Sequence, residues 1–455
     1  MENKSGNISR RDFVIRTALG SAGVVIANEI GNSDLFAATP KTTAQSMIGT
    51  PFEARERVRL GIIGVGGRGT SLLRDLLAVD GVDVKAICDL VPEKVEHAEK
   101  MVTDAGQAKP AGFTKGEWDF KNLNQLDLDI VYIATPWNWH VPMALDAMKN
   151  QKHAAVEVPA ATTLRECWDL VNTSEATGKH CVILENCCYG SSEMMVLEMV
   201  RDGIFGEISH AEAAYLHDLR SILTANEGEG LWRRFPHMQR NGNLYPTHGL
   251  GPVAHYMDIH RGDRFDYMVS VSSLEASLSE YVKKHFSEGD PKRTEKYACG
   301  DMNTSIIKTV KGRTVLLQHD VVNPRPYSRL NMIQGTKGAF ADYPARVFVD
   351  GQKDEDWQTI GAFKEKYEHP LWKNNGEMAR KTGGHGGMDY IMNFRLMDCL
   401  KRGLPPDIDV YDAAAWSAPT ALSEASVAAN GAPQKFPDFT RDHWGTRAEA
   451  ERFAG

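Results

Sequence analysis

The chain has 455 residues, of which 42% are hydrophobic, 25% charged and 8% aromatic, with a formal net charge of −8. At about 150 residues per domain, that length suggests two or three domains with room for substantial cores. The acidic balance argues against a nucleic-acid binder, which needs a basic face, and leaves a neutral small molecule as a compatible partner.

The N-terminal segment carries Ser9-Arg10-Arg11-Asp12-Phe13, then a weakly apolar run and small residues at Ala37 and Ala38. Paired arginines before such a run resemble the twin-arginine export signal. The run is too short and glycine-rich to remain as a membrane span. We therefore expect residues 1–38 to be an export signal, 39–56 a linker, and the mature protein periplasmic or secreted. No cysteine follows the apolar run to carry a lipid, so no membrane anchor is expected.

Residues 57–186 read as a nucleotide-binding domain. "RVRLGIIGVGGRGTSLLRDLLAV" predicts a strand from Val58 to Ile63, a glycine turn, and a helix from about Thr70. Gly64, Gly66 and Gly69 fill the G-x-G-x-x-G positions, with Gly67 and Arg68 between them. Such glycines permit a tight turn, close approach of a pyrophosphate and close helix–strand packing. The next strand, "VDVKAICD", ends in Asp89, 25 residues after Gly64. A carboxylate there accepts from ribose hydroxyls and repels an extra phosphate, which favours NAD over NADP. A later strand, Leu128 to Ala134, runs into "TPWNWH" and a helix from Val141 to Met148. Trp137, Asn138, Trp139 and His140, and Glu157 and Val158 of "HAAVEVP", then fall at carboxyl ends of strands, where open α/β sheets bind ligands. A helix from Thr163 to Thr177 and a strand from Cys181 to Leu184 close this domain at Glu185 and Asn186.

Residues 187–455 read differently. A helix ending at Gly203 leads to strands at "ISHAEAAYLH", Tyr267–Leu274, Thr304–Thr309, Arg313–Asp320, Met332–Gly335 and Ala345–Val349. Turns rather than crossover helices separate them, so the sheet should be mostly antiparallel. The polar stretch Leu219–Gly242 fits a loop or lid over the cleft, and helices are expected near Met388–Lys401 and Ala413–Ala429. The fold class is α/β: a Rossmann domain followed by an α+β domain with a large, mostly antiparallel sheet.

Within this second part, "NLYPTHGLGPVAHY" concentrates Tyr245 and His248 beside Pro246, Thr247 and Gly249. Tyrosine and histidine transfer protons once their surroundings tune them, and a stiffened backbone would position them. A histidine before glycine is also a common turn residue, and His255 suits a packing role. His385, in "GHGGMDY", is an outlying candidate. The seven cysteines are odd in number and form no Cys-x-x-Cys pair, which suggests buried free thiols. "HGLGPVAH" lacks a third metal ligand, and no metal is expected.

The glycine turn, the Glu157-Val158-Pro159 triplet and the following sheet domain resemble the glucose–fructose oxidoreductase and inositol dehydrogenase superfamily over about residues 50–440. Members commonly carry Glu-Lys-Pro there, with a lysine that activates a substrate hydroxyl. Val158 can neither donate nor accept a proton. Taken together, the leader, "GVGGRG", "ATPWNWH", "EVP", "ENCCYG" and "NLYPTHGLGPVAHY" more closely resemble one branch, the NAD-dependent α-N-acetylgalactosaminidases of glycoside hydrolase family 109. That resemblance implies that Arg68, Gly69, Asp89, Trp137, Asn138, His140, Glu157, Val158 and Asn186 surround NAD. It implies that Tyr215, Arg233, Tyr245, His248 and Tyr327 face a terminal α-linked N-acetylgalactosamine.

The implied reaction oxidises C3 of the sugar, removes the acidified C2 proton, eliminates the aglycone from C1, adds water, and reduces C3 again. His248 would move protons near C1, and Tyr245 or Tyr327 would serve C2 or the enolate. The alternatives are a sugar oxidoreductase that accumulates reduced cofactor, and a glycan-binding protein without turnover. Assembly into a homo-oligomer is left open.

Overall fold

The computed structural model describes residues 45–352 and 356–445; the expected export signal lies outside them. The described part of the expected linker is not a free tether. Met47 and Phe52 are each buried, and Phe52 meets the rings of His153 and His180 edge-on.

Strands β1 (Val58–Ile63), β2 (Val82–Cys88), β3 (Ala111–Phe113), β4 (Ile130–Ile133), β5 (His153–Val156) and β6 (Cys181–Ile183) form one parallel sheet in the order β3-β2-β1-β4-β5-β6. Strands β4, β5 and β6 are buried at every position, as expected where helices cover both faces. The order reverses between β1 and β4, and the crevice opens there at the carboxyl ends.

Two helices begin earlier than their apolar periodicity suggests. The first spans Gly67–Leu77, so Gly67, Arg68 and Gly69 form its opening turn rather than a loop. The helix after β4 spans Trp137–Lys149, with Pro136 as N-cap at φ −57°. Trp137 to His140 are therefore carried into the crevice on a helical turn. The Leu164–Thr177 helix starts at a capping box between Thr163 and Glu166 and stops at left-handed Gly178.

The second sheet contains β7 (Ile208–Leu216), β8 (Phe265–Ser272), β9 (Asn303–Thr309), β10 (Thr314–Asp320), β11 (Met332–Gly335), β12 (Gly338–Ala341), β13 (Arg346–Val349), β14 (Gln358–Thr359) and β15 (Gln434–Lys435). Their order is β14-β13-β12-β11-β7-β10-β9-β8-β15, and every neighbouring pair is antiparallel except β7 with β10.

The expected lid segment contains the short helices Arg220–Thr224 and Arg234–Gln239. The single helix expected over Ala413–Ala429 is two, Val410–Ser417 and Pro419–Ala428, because Pro419 has no amide to continue the first and opens the second. The C-terminal helices also pack back onto the first domain. Tyr132 in β4 donates to Asn393 at 3.1 Å, and the Tyr411 hydroxyl donates to Glu175 at 2.8 Å.

Candidate active site

The crevice is built first from backbone. Gly64 has φ +85°, and a Cβ there would stand 2.7 Å from the Ala134 carbonyl oxygen. A Cβ on Gly69 would stand 1.8 Å from the Gly64 carbonyl oxygen, so helix and turn meet at a distance only glycine allows. At Gly67 the result is opposite: a Cβ would meet nothing within 4 Å. Gly66, the N-cap, supplies no side-chain cap to the helix. Open space therefore adjoins uncapped amides, which suits a pyrophosphate. Asp89 stands beside the turn; its carboxylate accepts from the Val65 amide at 2.9 Å and the Val91 amide at 3.0 Å. Each oxygen keeps a lone pair for a ribose hydroxyl. Turn, anion site and acceptor fit NAD.

Other residues expected around the cofactor are tied to one another. Arg68 Nε donates to Glu157 at 2.6 Å, and its Nη1 donates to Asp389 at 2.6 Å. The guanidinium is thus spent on carboxylates rather than held free for phosphate. Asn186 is buried and donates to the same Asp389 at 2.6 Å. Burial alone would raise the Asp389 carboxyl, but His385 and Arg68 hold it well below the usual range. The His140 side chain is engaged within the protein. Its ring is buried, with nitrogens 2.9 Å from the Pro159 carbonyl oxygen and 2.7 Å from that of Thr135, so neither is left for a nucleotide. It pins the loops after β4 and β5 together. Trp139 packs on Trp118, Asn138 is exposed, and Val158 is buried.

Trp137 reaches the other half of the cleft, where its ring meets Trp232 and Tyr245 at centroid distances of 5.2 and 5.8 Å. There the second sheet and the Thr247–Tyr256 helix bring an aromatic cluster together. Tyr215, from β7, lies 4.6 Å from Tyr245, 5.4 Å from His248 and 6.1 Å from Tyr327 between ring centroids. The Arg233 guanidinium covers Tyr245 at 4.8 Å and pairs with Glu229. Burial pushes the Tyr215 and Tyr245 phenols up, with Arg233 pulling the other way, so both are neutral donors at neutral pH. Tyr327 stays 38% exposed at the rim.

His248 is the best-fixed member. "THGLGPVAHY" is helical despite its glycines and proline, and the glycines explain how. A Cβ on Gly249 would stand 2.3 Å from the Ala214 amide nitrogen of β7, and one on Gly251 would stand 3.0 Å from Glu185 Cγ. The helix is pressed against both. His255, on the same helix, packs against Trp416. Pro246 N-caps the helix and Thr247 is fully buried, so these two shape the turn that presents His248.

Glu185, whose chemical role was not foreseen from sequence, accepts from His248 Nδ1 at 2.7 Å and is fully buried. Burial would raise its carboxyl, but the charge and hydrogen bond of His248, together with further hydrogen bonds that include the Cys187 amide, lower it. With Nδ1 on a carboxylate, His248 turns Nε2 toward the Tyr245 hydroxyl, 3.5 Å away. Its position directly after a parallel strand was the available signal. Also unforeseen is His217, whose ring lies 4.9 Å from Tyr327 and whose Nδ1 is 3.1 Å from the Tyr215 hydroxyl.

Among the described residues, Glu185, Cys187 and His248 bring potential ligand atoms within 4.8 Å of one another. Arg329 donates to Cys187 Sγ at 2.7 Å, which places a cation where a metal would have to sit against that thiol. Of the nearby carboxylates, Glu157 is held by Arg68 and Glu185 by His248 through Oε1, while Glu185 Oε2 has no hydrogen-bond partner among the described residues.

Residues 189–446 match the family described as Glycosyl hydrolase 109, C-terminal domain. The chain belongs to glycosyl hydrolase family 109. Residues 58–185 match an oxidoreductase family with an NAD-binding Rossmann fold. A family 109 protein of Solibacter usitatus is 56% identical over 442 residues, covering 96% of this chain and 98% of its own length. An alpha-N-acetylgalactosaminidase of Shewanella oneidensis is 47% identical over 446 residues, covering 96% and 97%. Among solved structures, levoglucosan dehydrogenase in complex with NADH and levoglucosan matches with TM-score 0.64 at 18% identity, over 84% of this chain and 100% of that one. At that identity the likeness concerns the fold.

Proposed function

We propose that this family 109 enzyme hydrolyses terminal α-linked N-acetylgalactosaminides, with NAD as a resident cofactor. The observation that carries the reading is the pairing of a dinucleotide crevice with a Tyr–His–Tyr cluster whose neighbouring carboxylate, Glu185, is buried behind the imidazole it holds. A conventional glycosidase needs two carboxylates flanking the scissile bond; here the proton-transfer groups are phenols and an imidazole. Val158 in place of a lysine speaks against the superfamily's usual dehydrogenase arrangement.

Gly66, Gly67 and the amides that follow would hold the pyrophosphate, and Asp89 the ribose. Bound NAD supplies reversible oxidation at C3 of the sugar, which acidifies the hydrogen on C2. His248 carries a proton at its Nε2 to the departing C1 oxygen and then draws one from water. Glu185 keeps the ring in the required tautomer and stabilises its cationic form. Tyr245 and Tyr327 serve the C2 proton and the enolate oxygen, and Arg233 favours the anionic side of that exchange at Tyr245.

An aryl α-N-acetylgalactosaminide tests the reading directly. The aryl group should be released without net NADH accumulation, and C2 should take up deuterium from heavy water. Turnover of a 3-deoxy substrate at the normal rate would remove the basis of the proposal; steady accumulation of NADH would favour an oxidoreductase instead. We also propose export through residues 1–38, supported by the Arg10-Arg11 pair and the apolar run after it. A cofactor that ends each turnover as it began can be loaded before export.

A further inference from the structure

The cleft contains a second histidine–carboxylate pair. His385 Nδ1 lies 2.7 Å from Asp389 Oδ2, the same separation as His248 from Glu185. The two pairs differ in setting. Glu185 and His248 sit among phenols, whereas Asp389 is the hub of a polar network on the nucleotide side.

Asp389 is fully buried at the start of the Met388–Arg402 helix. It receives Arg68 from the first turn of the Gly67–Leu77 helix and Asn186 from the segment after β6. Arg68 in turn holds Glu157 at the end of β5. Arg68, Glu157 and Asn186 all stand on the carboxyl edge of the parallel sheet, where the dinucleotide crevice opens. His385 lies over this group: its Nδ1 is 3.5 Å from Arg68 Nη1, and its side chain remains 59% exposed. Among the described residues, His385 Nε2 takes part in no hydrogen bond.

The backbone that brings His385 there is unusual. Gly383, His385, Gly386 and Gly387 have φ of +88°, +45°, +71° and +102°. A histidine occupies left-handed backbone that its glycine neighbours adopt freely, so the side chain is kept at a conformational cost. Gly384 allows the loop to lie close: a Cβ there would stand 2.7 Å from Asp389 Oδ2.

We propose that His385 is a cofactor-binding residue, holding an oxygen of the nicotinamide half of the dinucleotide through Nε2, and that Asp389 positions it as a latch across the crevice. The inference rests on the proposed function in one respect: a cofactor restored at every turnover has no need to leave, so a latch brings no loss of rate. The nucleotide side is favoured over the sugar because the three residues beneath His385 belong to the crevice edge.

The test measures exchange of NAD on the purified full-length holoenzyme, with no glycoside present. Isotope-labelled NAD is added in excess, and replacement of the resident cofactor is followed by mass spectrometry of the extracted nucleotide. His385→Ala, at an exposed loop position, should exchange about ten-fold faster than wild type or more, as expected for loss of one hydrogen bond to a ligand. His385→Gln, which keeps an N–H donor, should recover part of that retention, and Asp389→Asn should behave like His385→Ala. Exchange at the wild-type rate in His385→Ala would overturn the proposal. So would a raised KM for the glycoside with unchanged exchange, which would move His385 to the sugar side. A wild-type chain that retains NAD but cleaves no α-N-acetylgalactosaminide would sink the functional reading while leaving the latch to be judged by its exchange rates.

Discussion

The two sides of the cleft are made of different materials. The nucleotide side is backbone: Gly64 and Gly69 set approach distances, Gly67 leaves room, and the nearby charged groups pair with one another, Arg68 bridging Glu157 and Asp389. The side proposed to hold the sugar is side chain: Tyr215 from a strand, His248 from a helix, Arg233 from the lid segment and Tyr327 from a loop. One side is specified by what is missing at Cβ, the other by what projects beyond it. Substitutions should therefore separate cofactor retention from chemistry according to the side they touch.

The largest effect is expected on the sugar side. His248→Ala should lower kcat on an aryl α-N-acetylgalactosaminide by about 10³-fold, the usual scale for a proton-transfer group, while nicotinamide retained per chain stays at the wild-type level. Loss of the cofactor instead would break the division.

Glu185→Gln should follow, with kcat falling by about 10²-fold or more, because an amide can donate to Nδ1 and reverse the tautomer. Its signature is a changed pH–rate profile. Glu185 is depressed in the folded state, so its stabilising contribution is complete above the ordinary carboxylate range and disappears as pH falls through its lowered value. Wild type and variant should accordingly converge in melting temperature toward acid pH.

Gly67→Ala should do the reverse of His248→Ala. A Cβ there touches no protein atom, so the melting temperature without cofactor should hold while NAD affinity, measured by titration calorimetry, falls about ten-fold as the methyl crowds the phosphate.

The smallest effect concerns stability alone. Asp75 is buried beside Asp389, and burial followed by that neighbouring charge pushes its carboxyl up to about 7. A carboxyl raised on folding costs stability increasingly as pH climbs from the usual carboxylate range, and the cost is complete above that value. Asp75→Asn should raise the melting temperature by a few degrees at pH 8 and change it little near pH 4.

Legibility in the sequence followed the same division. β1 was predicted with its observed limits, Val58–Ile63, because a buried parallel strand is a continuous apolar run and the glycine turn that follows is a local pattern. The glycines of the Thr247–Tyr256 helix weakened its helical signal, although they are there because β7 and Glu185 lie against them. The pairing of His248 with Glu185 spans 63 positions of sequence and has no local spacing to announce it. Asp389 was equally hidden, since Arg68 and Asn186 reach it across 321 and 203 positions. Apolar periodicity sets the helix starts later than Gly67 and Trp137 because it begins only once a helix has a side to bury.

The contact between Gly249 and Ala214 bears on how such a pocket can change. With 2.3 Å between a would-be methyl and a strand amide, the wall that presents His248 has no slack in which to shift or tilt. Variation that admits a different sugar must instead enter through the half-open rim around Tyr327, where a side chain can be enlarged or cut back without disturbing the His248 imidazole. Anyone engineering this scaffold toward another glycoside would randomise the rim and leave the glycine-bearing helix untouched.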